Sequence, residues 1–289
     1  MNKVLLKPVV LIILDGWGIS SVNYFNPIKD ANPERFYYYW NNYPKTALKT
    51  YPSSFNSSKY TMPSLACGYF ENNINNLNVL TNVISDKESF YKTISSHNLR
   101  QLVISDKLVS KELPMYLNSF DSDDISNCDY KYVNVKLDKK PSPEENEFKQ
   151  YIDVIESEKT GAYDFITFYF PYLELIQNNK QINTIIRNMD YVVGEIIERY
   201  LLQNANIFVT SSYSSFDKMS KRFSLIGDFN YVPFININNH NKRANFLSIK
   251  DFLPTIIMSK YNIGSIAPTI INSFGIPSKF DFEKLNNIL

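Results

Sequence analysis

One stretch constrains this chain more than any other. Val9-Val-Leu-Ile-Ile-Leu14 is six apolar residues without a break, closed at once by Asp15-Gly-Trp-Gly18. An apolar run of that length, bounded by turn residues, predicts a strand buried on both faces, as in parallel sheets covered by helices. Ligands in open α/β sheets bind beyond the carboxyl ends of such strands. Asp15 stands at that end. The glycines around Trp17 let backbone approach closely, so the segment suits a metal ion or a phosphate. The same carboxylate equally suits a plain turn or helix cap. Both readings stay open on this segment alone.

The rest of the chain supplies the sheet. Tyr163 to Phe170 is an apolar and aromatic strand pattern. Ile182, Ile185, Ile186, Met189, Val192, Val193, Ile196, Ile197, Tyr200 and Leu201 then recur at steps of three and four, the apolar stripe of a core helix. Asn206 to Thr210 is a further buried strand. Strand, helix and strand at these lengths make a βαβ unit. Val232 to Ile237 reads as another strand and Gln101 to Ser105 as one more. Helices are expected near Asn32 to Tyr43, with Pro33 in the first turn, near Lys87 to Ser96, and over Ile266 to Phe274 before Gly275. Pro52 to Ser64, Asp121 to Asp129 and Lys139 to Glu145 read as loops. The expected class is α/β, a doubly wound, mostly parallel sheet with helices on both faces, in one domain over residues 1–289.

Composition narrows the function. Lysine and arginine number 30 against 29 acidic residues, so no global field draws nucleic acid or an anionic membrane. No run is long enough to span a membrane, and the amino-terminal apolar run is too short for a signal peptide and is stopped by Asp15. Cys67 and Cys128 form neither a disulfide framework nor a CxxC metal spacing. A cytoplasmic protein is expected. Only 8 of 289 residues are glycine, few for loops that cradle phosphate or metal.

Several segments, in order, resemble one family. Lys7-Pro-Val-Val-Leu-Ile-Ile-Leu-Asp-Gly-Trp-Gly-Ile19 is similar to the opening of the cofactor-independent (2,3-bisphosphoglycerate-independent) phosphoglycerate mutases of the alkaline phosphatase superfamily. Tyr43-Pro-Lys-Thr46, Leu99-Arg-Gln-Leu-Val-Ile-Ser105, Pro141-Ser-Pro143 and Asn230-Tyr-Val-Pro-Phe-Ile235 resemble later family segments. Ser265-Ile-Ala-Pro-Thr-Ile-Ile-Asn-Ser-Phe-Gly-Ile-Pro277 resembles its carboxyl-terminal helix. The resemblance implies an alkaline-phosphatase-like fold and two divalent metals, usually manganese or magnesium. It also implies phosphoryl transfer through a serine nucleophile, with the metal pair withdrawing charge from the phosphoryl oxygens.

The chain departs from that pattern twice. Only residues 81–98 separate the segment ending near Leu80 from Leu99, so the family's inserted substrate domain is expected to be absent. The site residues also differ. Asp15 matches the first metal aspartate. The nucleophile motif aligns with Met62-Pro-Ser-Leu-Ala-Cys-Gly-Tyr69, which puts Leu65 at the nucleophile position and Ser64 one residue early. Thr61-Met-Pro-Ser64 also resembles the threonine-nucleophile motif of distant phosphodiesterase relatives, so Ser64 and Thr61 are both candidates. Two further ligand positions fall on Glu174 and Asn178. The remaining ligand positions become Ser212, Tyr213 and Gly227. The two histidines, His97 and His240, lie outside every family motif.

These replacements lead to the expectation of a degenerate, non-catalytic relative with no cofactor, used for binding a protein partner or for self-association, with Tyr69 and Tyr213 filling the space of lost metals. The alternative is a metal-dependent phosphohydrolase or phosphomutase acting on a small phosphate monoester. It would hold one manganese or magnesium ion through oxygens of Asp15, Glu174 and Ser64 or Thr61, with Asn178 a weaker oxygen ligand.

Overall fold

Val9–Leu14 is the central strand, β1, of a seven-stranded sheet. The fold is that of a computed structural model, which describes residues 8–19, 27–51, 58–71, 87–112, 128–135, 147–158, 160–175, 182–214, 230–242, 260–280 and 285. The other strands are β2 (Lys45–Thr50), β3 (Gln101–Asp106), β4 (Cys128–Val133), β5 (Phe165–Phe170), β6 (Asn206–Thr210) and β7 (Asn230–Ile237). They lie in the order β2-β7-β6-β1-β5-β3-β4. Strands β6, β1, β5, β3 and β4 run parallel, while β7 is antiparallel to both β6 and β2.

All six residues of β1 are buried, and they divide by alternation. Val10, Ile12 and Leu14 face one hydrophobic cluster; Val9, Leu11 and Ile13 face the other. The first cluster lies under α1 (Pro27–Ala31), α2 (Glu34–Asn42), α5 (Gln150–Ser157) and the long α7 (Ile182–Leu202). The second lies under α3 (Ser58–Ala66), α4 (Phe90–Ser96) and α8 (Ile266–Ser273). The short α6 (Tyr172–Leu175) follows β5. Helices therefore cover both faces of a mostly parallel sheet, the expected class. Each large aliphatic side chain in these clusters contributes roughly 1.5–3 kcal/mol by leaving water.

Local expectations fail where tertiary packing or backbone conformation outweighs composition. The loop expected over Pro52 to Ser64 is helical from Ser58 onward. Its polar residues and Pro63 argue against helix, but Met62, Leu65 and Ala66 bury a face against the second cluster. The loop expected over Asp121 to Asp129 gives way to β4 at Cys128, a half-exposed strand whose polar residues hide its pattern; residues 121–127 lie outside the described residues, as do residues 139–145. The helix expected near Asn32 to Tyr43 is α2, and the separate short α1 precedes it. Asn32 adopts φ 50, and Pro33 is extended, which breaks the helix between them.

Pro33 offers no side chain to cap α2. Asp190 of α7 performs the capping from outside. Its Oδ2 accepts the Arg35 N–H at 3.0 Å and its Oδ1 the Phe36 N–H at 2.8 Å. Burial pushes the Asp190 carboxyl up to about 6, against the pull of the Phe36 and Arg35 N–H groups. The folded chain thus holds this proton more tightly than the unfolded chain, whose aspartate titrates near pH 4. The resulting stabilisation is complete below about pH 4 and is lost as pH rises through about 6. In urea melts at several pH values, Asp190→Asn should therefore gain on the wild type by about 2 kcal/mol between pH 4 and pH 7.

Candidate functional site

Asp15 emerges from β1 between its two parallel neighbours, β5 and β6. Its N–H continues the ladder, donating to the Phe170 carbonyl at 2.9 Å. Its side chain is buried on the α3–α4–α8 face. From β5, the Tyr169 hydroxyl donates to Asp15 Oδ2 at 2.5 Å. From the turn after β6, the Ser212 hydroxyl donates to Asp15 Oδ1. Each carboxylate oxygen thus accepts a neutral hydroxyl, which offsets the cost of taking it from water. The Thr50 hydroxyl, at the end of β2, donates to the Ser212 carbonyl at 3.1 Å and anchors that turn.

The two turns are held together closely. A bridge between Gly16 and Ser214 extends the β1–β6 pairing past the strand ends. A Cβ on Gly18 would collide with the Ser214 side chain and stand 3.1 Å from its Cα, so the approach requires glycine there. Tyr213 is fully buried, and the Ser211 hydroxyl donates to its carbonyl at 2.7 Å.

Ser64 is not joined to Asp15. Its hydroxyl donates to the Tyr60 carbonyl at 3.0 Å, one turn back along α3, and lies 3.0 Å from the Tyr51 hydroxyl. Burial holds the Tyr51 phenol well above its usual value, which keeps it a neutral donor rather than a base. Thr61 and Leu65 are also fully buried in α3. Tyr69 does not share the burial of Tyr213; it is half-buried, and its hydroxyl donates to Glu71 at 2.6 Å. Glu174 falls in α6. Asn178 and Gly227 lie outside the described residues. His97 and His240 are both exposed.

A second strand-end carboxylate escaped sequence reading. Asp106 closes β3 as Asp15 closes β1, and it is fully buried. It accepts the N–H groups of Leu108 at 2.7 Å and Val135 at 3.0 Å, and the Tyr172 hydroxyl at 2.9 Å. Burial, then Tyr151 and Asp106, holds the Tyr172 phenol far above its usual value. The signal was present in Ser105-Asp106, an acid directly after an apolar strand. Tyr169 gave no such signal, because a strand tyrosine reads as core.

A two-metal centre needs several anionic or imidazole ligands converging on one point. Around Asp15 the described partners are hydroxyls, and both carboxylate oxygens accept their hydrogens. Among the described residues, no three His, Cys, Asp or Glu side chains gather. The described donors do not by themselves make a ligand set for a pair of divalent metals.

Known proteins place this architecture. Residues 7–278 match the Metalloenzyme superfamily. The chain belongs to that family. Over 48 residues it is 44% identical to the 2,3-bisphosphoglycerate-independent phosphoglycerate mutase of Francisella tularensis subsp. holarctica (strain OSU18), a stretch amounting to 17% of this chain and 9% of that protein. The match therefore spans under a tenth of the relative's length. Among solved structures, TAB5 alkaline phosphatase with magnesium bound is similar at a TM-score of 0.55 and 13% identity, covering 95% of this chain and 100% of that one. A protein in the alkaline phosphatase superfamily from Vibrio parahaemolyticus has a TM-score of 0.53 at 10% identity, covering 94% and 67%. This member of the Metalloenzyme superfamily thus shares the alkaline-phosphatase-like fold.

The hydroxyl pair on Asp15 makes a measurable unit. Tyr169→Phe should cost about 1–3 kcal/mol in denaturant unfolding, since it strips a buried carboxylate of a donor. In an Asp15→Ala background the same change should cost under about 0.5 kcal/mol, the coupling a double-mutant cycle reads directly.

Proposed function

We propose that this chain is a non-catalytic member of the Metalloenzyme superfamily, a single domain without the inserted substrate domain, that has kept the fold and uses it for binding or assembly. The observation behind this reading is the Asp15 carboxylate, whose two oxygens are engaged by Tyr169 and Ser212. Ser212 stands where the phosphoglycerate mutase pattern has a metal ligand, and it now donates a hydrogen to the remaining one. Ser64, the serine nearest the nucleophile position, donates its hydrogen to a backbone carbonyl, and its other hydrogen-bond partner among the described residues is a neutral phenol. A serine nucleophile needs a base or a metal to become reactive. The free thiols Cys67 and Cys128 suit a reducing compartment such as the cytoplasm, and among the described residues no helix is long and apolar enough to cross a membrane.

Two measurements on the purified chain test this proposal. After dialysis against manganese or zinc and removal of free ion, elemental analysis should find less than one equivalent retained. Turnover of 4-nitrophenyl phosphate with magnesium, manganese or zinc should equal that of buffer. Two retained equivalents, or metal-dependent turnover that Asp15→Asn abolishes, would instead establish a metal-dependent phosphohydrolase or phosphomutase.

A further inference from the structure

A cavity of about 370 Å³ opens between α4 and the segment that follows α8. It belongs to a different part of the molecule from Asp15. His97 caps the carboxyl end of α4 shortly before β3 begins, which places it at the amino-terminal edge of the parallel strands. Asp15 stands at the opposite, carboxyl-terminal edge, since β1 and β3 both run parallel to β5.

The walls of this cavity are firmly built. Gly68, at φ +57, receives the ring of Phe280; a Cβ there would lie 2.9 Å from Phe280 Cδ1 and 3.1 Å from the Ala267 Cβ. That contact seats the chain after α8 against the end of α3. Ile276, Pro277 and Phe280 form an apolar side, and Lys87, His97 and Lys279 supply positive or protonatable groups. One carboxylate, Glu88, also lines the space, and the Thr93 hydroxyl donates to it at 3.2 Å. The His97 ring is oriented by its own helix, its Nδ1 hydrogen donated to the Thr93 carbonyl at 2.8 Å. Nε2 is then the ring atom that faces a ligand, and it donates to an anion when the ring is protonated. Burial pushes the Cys67 thiol at the cavity wall up to about 12, so it lines the space as an unreactive apolar group.

Among the described lining residues, two lysines and a histidine outnumber one hydroxyl-bound carboxylate, and they border an apolar wall in a space of ligand size. We infer that this cavity is a binding site for a small amphipathic organic anion, its charged group held by Lys279, Lys87 and His97 and its body laid against Ile276, Pro277 and Phe280. The inference is independent of whether the Asp15 site is catalytic.

Naphthalene-2-sulfonate, followed by its own fluorescence, is a suitable probe, with inorganic sulfate and neutral 2-naphthol as the two halves of its chemistry. The sulfonate should saturate the protein below about 5 mM, and each half should bind at least about tenfold more weakly. Lys279→Glu and His97→Ala alter exposed side chains and should leave the circular dichroism spectrum unchanged. Lys279→Glu should weaken sulfonate binding by about tenfold or more, His97→Ala by several fold, and neither should change binding of 2-naphthol. Absence of saturable binding, sulfonate affinity unchanged in both variants, or equal affinity for 2-naphthol would overturn the inference.

Discussion

Because β1 is buried on both faces, whatever follows it enters the interior with it. A carboxylate in that position loses its water and must find hydrogen-bond donors or a cation inside the protein. Among the described residues, hydroxyls from β5 and from the turn after β6 donate to it. Their positions depend in turn on the sheet order, which puts β5 and β6 on either side of β1. Three buried aspartates show three solutions to the same problem. Asp190 takes backbone N–H groups at a helix start, Asp106 combines backbone N–H groups with a phenol, and Asp15 relies on side-chain hydroxyls. The hydroxyls on Asp15 come from β5 and from the turn after β6, so its environment reports on how those two elements are assembled.

The central sheet was legible in the sequence because burial on both faces leaves uninterrupted apolar runs. Val9–Leu14, Phe165–Phe170 and Asn206–Thr210 all appear as strands where the runs place them. The stripe from Ile182 to Leu201 appears as α7 for the related reason that one helix face meets the core. Edges were harder to read. Strand β4 is partly exposed through most of its length, with Asp129 and Tyr132 open to solvent, and β2 mixes lysine and threonine with its apolar residues. Their pairing comes from the sheet rather than from their own composition. Helix α3 was obscured in the same way, since its apolar contribution is short and its serines and proline favour a loop.

The site was half legible for a different reason. Asp15 stood out because an acid after an apolar strand is unusual. Its partners did not, because a tyrosine inside a strand and a serine in a turn are common. Which hydroxyl meets which oxygen follows from register, Ile13 opposite Tyr169 and Ile13 opposite Thr210, and register is a property of three strands at once. Ser64 illustrates the converse. Its place in the sequence suggested chemistry, but the helix it belongs to turns its hydroxyl toward the carbonyl of Tyr60.

The closed arrangement around Asp15 also bears on how such a site changes over generations. Suppose an acidic residue replaced Ser212 alone. Two carboxylates would then face each other in a buried setting, each without the hydroxyl that Ser212 supplies, and like charges at such range strongly oppose joint ionisation. A histidine there would bring bulk into a turn that Gly18 and Ser214 already hold in close contact. Either change, made alone, passes through a less stable protein. A set of metal ligands around Asp15 would therefore have to be assembled by several coordinated changes rather than by one at Ser212.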